Sequence, residues 1–364
     1  MKIAIDAREL EGKPTGAGRF LLEVMRRWPR EFFLNNEVHL LFKNEIPLNS
    51  FLDPIPARKI ILKPLFFLNS DLLWEQVLLP LYLNRHRIAV FWGANGAGSL
   101  WRPSHLKSIV NIFDITFCMD RKWYSLKERW VRKLRTRISA LTANLCVTAS
   151  QSAAKDLESF FPKLRGKVRV VYPGADHLGP AQERPPNKGV ATVLYVGSFL
   201  NRRPVENLIE AFRRLAPEYP QLRLRLVGDN RTFPRKDFSA IIRRSGVEDR
   251  VEWGGYCDAA VLNNIYAESD IFCYPSFYEG FGIPLVEAQV LGLPVITLKN
   301  SSLQEVGGDS VCYAKSADPD DLKEAIQALV DSRSLVESIR RKGFENAKQY
   351  QWSKAAAAIL KMFE

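Results

Sequence analysis

Along the chain, short runs of apolar residues rich in Val, Ile and Leu alternate with stretches in which apolar positions recur every three or four residues. The runs at 2–6, 38–42, 88–92, 108–112, 145–148 and 168–172 predict strands covered on both faces. Between them, 16–28 and 120–141 have helical spacing, and Ser150 or Ser152 is placed to cap a helix reaching about residue 160. The pattern then breaks at Pro173, Gly174, Gly179, Pro180, Pro185, Pro186 and Gly189, which reads as a linker. After it the alternation restarts, with strands expected at 192–197, 222–227, 251–253, 271–274 and 294–298 and helices at 205–215, 259–266, 284–291 and 319–330. Strands that alternate with helices fold as parallel sheets wrapped on both sides. The fold class expected is therefore α/β, with two Rossmann-like doubly wound domains facing a cleft, one at 1–178 and one at 179–351.

Length is compatible with this division, since 364 residues exceed one ordinary core. Charge changes the picture more. Residues 1–180 carry 28 Lys/Arg and 16 Asp/Glu, and residues 181–364 carry 24 of each, so the whole net charge of +12 sits in the N-terminal half. A one-sided basic surface suits nucleic acid, an anionic membrane face or an anionic substrate. The five Cys form no C-x-x-C pair and mostly lie in apolar runs, so they read as reduced thiols. His39, His86, His105 and His177 are scattered, which gives a metal site no support. The chain opens on a strand rather than a signal peptide, and the apolar stretch 60–83 is interrupted by Lys63, Pro64, Asp71 and Glu75, so it does not span a bilayer. A cytoplasmic location follows, with membrane contact at the surface only.

The chemistry concentrates in the second half. In Ser276-Phe277-Tyr278-Glu279-Gly280-Phe281-Gly282-Ile283-Pro284-Leu285-Val286-Glu287 a strand ends, glycines follow, and a proline suits the first turn of a helix. Such a turn presents backbone N–H groups and a partial positive charge to an anion. Glu279 lies in the loop at the mouth and Glu287 one turn into the helix, so the two carboxylates could reach different parts of one ligand. A plain strand–turn–helix with two surface acids fits the same spacing. Upstream, Tyr195-Val196-Gly197 leads to Arg202 and Arg203, two adjacent cations able to neutralise a diphosphate, or simply a solvated pair. Gly16 and Gly18 follow the first strand as a Gly-x-Gly, weak evidence alone. Asp114 follows a strand end, where it could also serve as a cap.

The stretch from Ser276 to Glu287 resembles the Glu-x7-Glu signature of family 4 glycosyltransferases, retaining enzymes of the GT-B fold. The segments Leu291-Gly292-Leu293-Pro294 and Ser301-Ser302-Leu303-Gln304-Glu305 are similar to it as well. The resemblance implies that Glu279 contacts the donor sugar and Glu287 the nucleotide ribose. It implies further that the amides around Gly280, Phe281, Gly282 and Ile283 face sugar and diphosphate, and that Gly197 belongs to the donor site. Arg202 and Arg203 would grip the diphosphate, so that neither metal nor other cofactor is needed; Arg203 stands where Lys is usual. Gly16 and Gly18 resemble the family's Gly-x-Gly-Arg loop, near diphosphate and acceptor. Asp114 is retained from a His-Asp pair, but Phe113 stands where the family has the His. Tyr350-Gln351-Trp352-Ser353 resembles the terminal element, with Ser353 as N-cap and helix 352–364 joining the first domain.

The activity implied is transfer of a hexose, with retention, from a GDP-mannose-like or UDP/dTDP-sugar donor to a glycan or lipid-linked glycan precursor. A nucleotide-sugar-binding protein with weak or no transferase activity is the alternative, because Phe113 can neither donate a hydrogen bond nor exchange a proton. The basic stretch Asp120–Ser139, with a local charge of +6 and interleaved Trp123, Tyr124 and Trp130, reads as an anionic-membrane contact or as an internally packed helix. Nucleic acid ranks last, since no module signature for it occurs.

Overall fold

The structure is a computed structural model that describes residues 1–12, 16–47, 50–64, 70–178 and 192–364. The chain divides into two compact units. The first comprises Met1–Met119, Leu126–Pro173 and Trp352–Glu364; the second comprises Asp120–Ser125 and Gly174–Gln351. Residues 179–191, which include most of the Pro/Gly stretch read as a linker, lie outside the described residues, as does Thr15.

The N-terminal unit is built on seven parallel strands: β1 (Lys2–Asp6), β2 (Glu37–Phe42), β3 (Arg58–Ile61), β4 (Val90–Gly93), β5 (Lys107–Asn111), β6 (Leu145–Thr148) and β7 (Val168–Val170). Their order is β3-β2-β1-β4-β5-β6-β7, so the direction of winding reverses between β1 and β4. The C-terminal unit has β8 (Thr192–Val196), β9 (Arg223–Val227), β10 (Val251–Gly254), β11 (Ile271–Tyr274), β12 (Val295–Leu298) and β13 (Cys312–Ala314), again all parallel. Their order β10-β9-β8-β11-β12-β13 reverses between β8 and β11. In doubly wound sheets ligands bind at strand C-termini beside such a reversal. The central strands are sealed on both faces, as in Ile3, Ala4 and Ile5 of β1 and Val193, Leu194 and Tyr195 of β8.

Local differences from the sequence reading have physical causes. The edge strands β3 and β13 escape notice because they are short, and β3 opens on Arg58 and Lys59. The helix expected at 120–141 begins only at Leu126. Residues Arg121–Trp123 form a 3-10 turn whose Lys122 N–H bonds the Asp120 carboxylate at 2.8 Å, and Tyr124 is extended. Ser150 caps its helix, accepting from Ala153 N at 3.0 Å. Ser353 is not an N-cap: the last helix, Trp352–Lys361, starts one residue earlier, with Trp352 buried against Phe20.

Candidate functional site

The reversal between β8 and β11 is where the C-terminal unit gathers its polar groups. Gly197 directly follows β8 and Gly228 directly follows β9, both with positive φ, 146° and 142°. A Cβ on Gly228 would lie 2.1 Å from the Gly197 carbonyl oxygen, so only glycine lets these two strand ends meet. The loop after Gly197 carries Arg202 and Arg203 into helix Val205–Leu215. The loop after β11 carries Ser276 to Gly282 into helix Ile283–Val290, with Gly282 at φ 98° as the residue before the helix and Pro284 in its first turn. The Phe277 N–H donates to the Arg202 carbonyl at 2.8 Å and ties the two loops together.

Glu279 sits at the junction. It is 5% exposed, not an open-loop acid at a mouth. Its Oε1 accepts from Arg203 Nε at 2.6 Å, Ser276 Oγ at 2.9 Å and the Tyr274 hydroxyl at 3.1 Å, and its Oε2 lies 3.5 Å from Arg202 Nη2. Burial pushes its pKa up, but Arg203 and Arg202 overcome this and hold it at about 2. Burial also pushes the Tyr274 phenol far up, so it stays a neutral donor beneath the Arg203 guanidinium, 5.2 Å from the ring centroid. The main chain is held too: Glu279 N donates to Ser301 Oγ at 3.0 Å, and Ser302 Oγ donates to the carbonyls of Glu279 and Phe281 at 2.8 and 3.0 Å. Gly280, Phe281, Gly282 and Ile283 thus form one braced turn beside a fixed carboxylate and two guanidinium groups.

Glu287, buried in the same helix, is held by other partners: the Tyr266 hydroxyl at 3.2 Å and His177 Nε2 at 3.3 Å. Next to Gly228 a cavity of about 560 Å³ opens at the ends of β9 and β10, lined by Asp229, Asn230, Arg231, Arg235, Trp253 and Gly255. Asp229 Oδ1 accepts from Tyr256 N at 3.2 Å there.

The remaining candidates belong to the N-terminal unit. Gly16 is the first residue of helix Gly16–Arg26, so the Gly-x-Gly containing Gly18 lies in the helix's opening turn rather than in a loop before it. The Asp114 carboxylate accepts from Thr116 N at 3.1 Å and Thr116 Oγ1 at 2.7 Å, the geometry of a strand-end cap. Phe113 packs edge-on against Phe20, with ring centroids 5.0 Å apart. Sequence reasoning missed a charged network at the end of β1. Arg8 donates to Asp6 at 2.8 Å and to Glu75 at 2.8 Å, and Arg135 donates to the other Glu75 oxygen at 3.0 Å. Glu75 is fully buried, in a π-helical turn, Trp74–Leu78. Arg135 is therefore not part of a free basic face. Of the rest of helix Leu126–Thr142, Thr136, Ile138, Ser139 and Ala140 are buried, while Trp130 and Leu126 are 72% and 78% exposed.

The family model for "Glycosyl transferases group 1" matches residues 181–349, the span that holds Gly197, the arginine pair, Glu279 and Glu287. The chain carries a group 1 glycosyltransferase domain. One relative of this glycosyltransferase matches over its whole length and another over two thirds of it. It is 29% identical to O-antigen chain mannosyltransferase B of Escherichia coli, with both proteins covered completely. It is 28% identical to MMP alpha-(1->4)-mannosyltransferase of Mycolicibacterium hassiacum over 67% of this chain and 58% of that protein. Among solved structures, Anabaena HepE in complex with UDP and glucose matches with a TM-score of 0.76 at 18% identity, covering 99% of this chain and 98% of that one. WaaG, a glycosyltransferase involved in lipopolysaccharide biosynthesis, matches at 0.74 with 15% identity over 99% of both chains. The fold of the glycosyltransferase is GT-B. Chemically, its C-terminal unit offers two cations, a helix N-terminus, an ionised carboxylate and an adjoining cavity, a set suited to an anion joined to a polyol.

Proposed function

We propose that the chain transfers a hexose, with retention of anomeric configuration, from a nucleotide-diphosphate sugar to a glycan or lipid-linked glycan precursor in cell-surface polysaccharide synthesis. The carrying observation is the Arg202–Arg203–Glu279 cluster beside the Gly282 turn and the β9/β10 cavity. In this reading Arg203 and Arg202 turn from Glu279 to the diphosphate, and the amides of Gly280 to Ile283 assist them as charge develops on the leaving group. Glu279 orients the sugar, Glu287 the ribose, and the cavity takes the base. Gly197 keeps the strand end open to the donor, Gly16 and Gly18 do the same at the opening turn near the acceptor, and Asp114 shapes its end of β5. The two guanidinium groups make a metal unnecessary. The whole-length mannosyltransferase relative favours a GDP-mannose-like donor, with UDP- and dTDP-sugars behind it.

The acceptor reading has its own support. Helix Leu126–Thr142 turns Leu126 and Trp130 outward among Lys127, Arg129 and Lys133, as a helix resting on anionic headgroups on the inner face of a membrane would. Among the described residues no helix is long and apolar enough to cross a membrane. A second reading, donor binding with weak or no transfer, is favoured by Phe113, whose ring is spent on Phe20.

Thermal shift with GDP, UDP, dTDP, ADP and their sugar conjugates tests the donor site. One nucleotide should stabilise the protein selectively, with EDTA making no difference and both Arg203→Ala and Glu287→Ala reducing the shift. No shift at millimolar nucleotide would sink the reading. A selective shift without sugar transfer to any lipid-linked glycan would favour the second one.

A further inference from the structure

The Glu287 carboxylate is approached from two directions, with a protein partner at each oxygen. Tyr266 reaches Oε2 at 3.2 Å from helix Ala259–Ala267, and His177 Nε2 lies 3.3 Å from Oε1. His177 arrives from the 3-10 turn Asp176–Leu178, ahead of the residues that match the family model, and its side chain is only 8% exposed. That turn is itself pinned. The Leu178 carbonyl accepts from Asn263 Nδ2 at 3.2 Å, and Ala175 N donates to the Tyr350 carbonyl at 3.3 Å. Two segments far apart in sequence therefore meet at one carboxylate. A single donor fixes where a carboxylate sits; donors to both oxygens also fix its plane. The plane matters when the ligand presents two adjacent hydroxyls, because a vicinal diol meets both oxygens only in one orientation.

We propose that His177 is a positioning residue for the nucleotide donor: its Nε2–H holds the Glu287 carboxylate in the plane that receives the 2′- and 3′-hydroxyls of the ribose. The inference rests on the donor reading above and adds the residue on which ribose recognition depends. Hydrogen bonding to the carboxylate selects the tautomer with its proton on Nε2. The base and the diphosphate lie on other contacts, so His177 governs the preference for ribose over deoxyribose and little else. Glutamine at 177 keeps an N–H donor of similar reach. Alanine and leucine remove it, leucine while still filling the space.

The test is calorimetric titration with GDP against 2′-deoxy-GDP, and with UDP against 2′-deoxy-UDP. The wild type should prefer the ribonucleotide about tenfold, the size of one charge-assisted hydrogen bond. His177→Ala and His177→Leu should bring the ratio to within about twofold of unity and leave the deoxynucleotide affinity unchanged. His177→Gln should restore the preference. Arg203→Ala should weaken both nucleotides and keep the ratio. The proposal fails if His177→Leu retains the wild-type ratio while Glu287→Ala abolishes it. It also fails, with the donor reading intact, if the wild type binds both nucleotides equally well. If the wild type binds none of the four nucleotides, the donor reading falls and this proposal with it.

Discussion

Burying Glu279 would be costly for a lone carboxylate, and its partners turn the cost into a pH-dependent contribution. Its pKa falls from 4.5 to about 2 because Arg203 and Arg202 outweigh the desolvation that raises it. Between those values the unfolded chain binds the proton that the folded chain refuses. The contribution is therefore complete above about pH 4.5 and is lost as pH falls through about 2. Glu279→Gln leaves two nearly buried guanidinium groups without their counter-charge and should cost about 3 kcal/mol at pH 7. Urea unfolding at pH 7 and pH 3 should show that deficit narrowing at the lower pH; an equal deficit at both would contradict the ion-pair account. Gly228 makes a second residue-scale prediction. Alanine there meets the Gly197 carbonyl at 2.1 Å and must adopt φ 142°, so Gly228→Ala should lose at least about 2 kcal/mol. Gly254→Ala, with nothing within 4 Å of the added carbon, should stay within about 0.5 kcal/mol, both changes being read by urea unfolding at pH 7.

At the scale of elements, the helix Leu126–Thr142 departs from ordinary amphipathic design. Its inner face is Thr136, Ile138, Ser139 and Ala140, with Ser139 so close to Gly98 that a Cβ on Gly98 would lie 2.7 Å from its Oγ. Leu126, Trp130, Val131 and Leu141 face outward. Trp130→Ser should leave the melting temperature unchanged yet weaken binding to vesicles containing phosphatidylglycerol about tenfold, the loss expected for one large apolar side chain. Equal binding of variant and wild type would remove the membrane role from this helix. This helix also shows where sequence pattern stops being informative. Alternation exposes the central strands because Ile3–Ile5 and Val193–Tyr195 are continuously apolar. The glycine turn between Glu279 and Glu287 is legible because its parts lie within nine residues of each other. The partners of Glu75 do not share that locality: Arg8 and Arg135 come from 67 and 60 residues away. His177 was likewise visible only as one of four scattered histidines. Whether the apolar side chains of a basic helix point in or out depends on what packs beside it, here a loop whose Gly98 admits Ser139.

At the scale of the molecule, the N-terminal unit is closed by the end of the chain. Trp352 packs on Phe20, and Phe363 sits among Trp28, Phe32 and Trp92 at centroid distances of 5.5 to 6.1 Å. Removing residues 352–364 should therefore expose an aromatic cluster in the first unit and leave the second intact. The truncated chain should bind a hydrophobic dye and unfold in two separated steps, with nucleotide still raising the midpoint of one of them. A single cooperative melt like that of the full chain would refute this division of labour. The arrangement also bears on the order of events during synthesis. A ribosome delivers Phe20, Trp28 and Trp92 long before their partners Trp352 and Phe363. The second unit, contained within residues preceding 352, emerges with its whole core before the first can be finished. Until residues 352–363 have emerged, the nascent N-terminal unit presents open aromatic surface, so it should stay open to hydrophobic capture well after its own strands have been made.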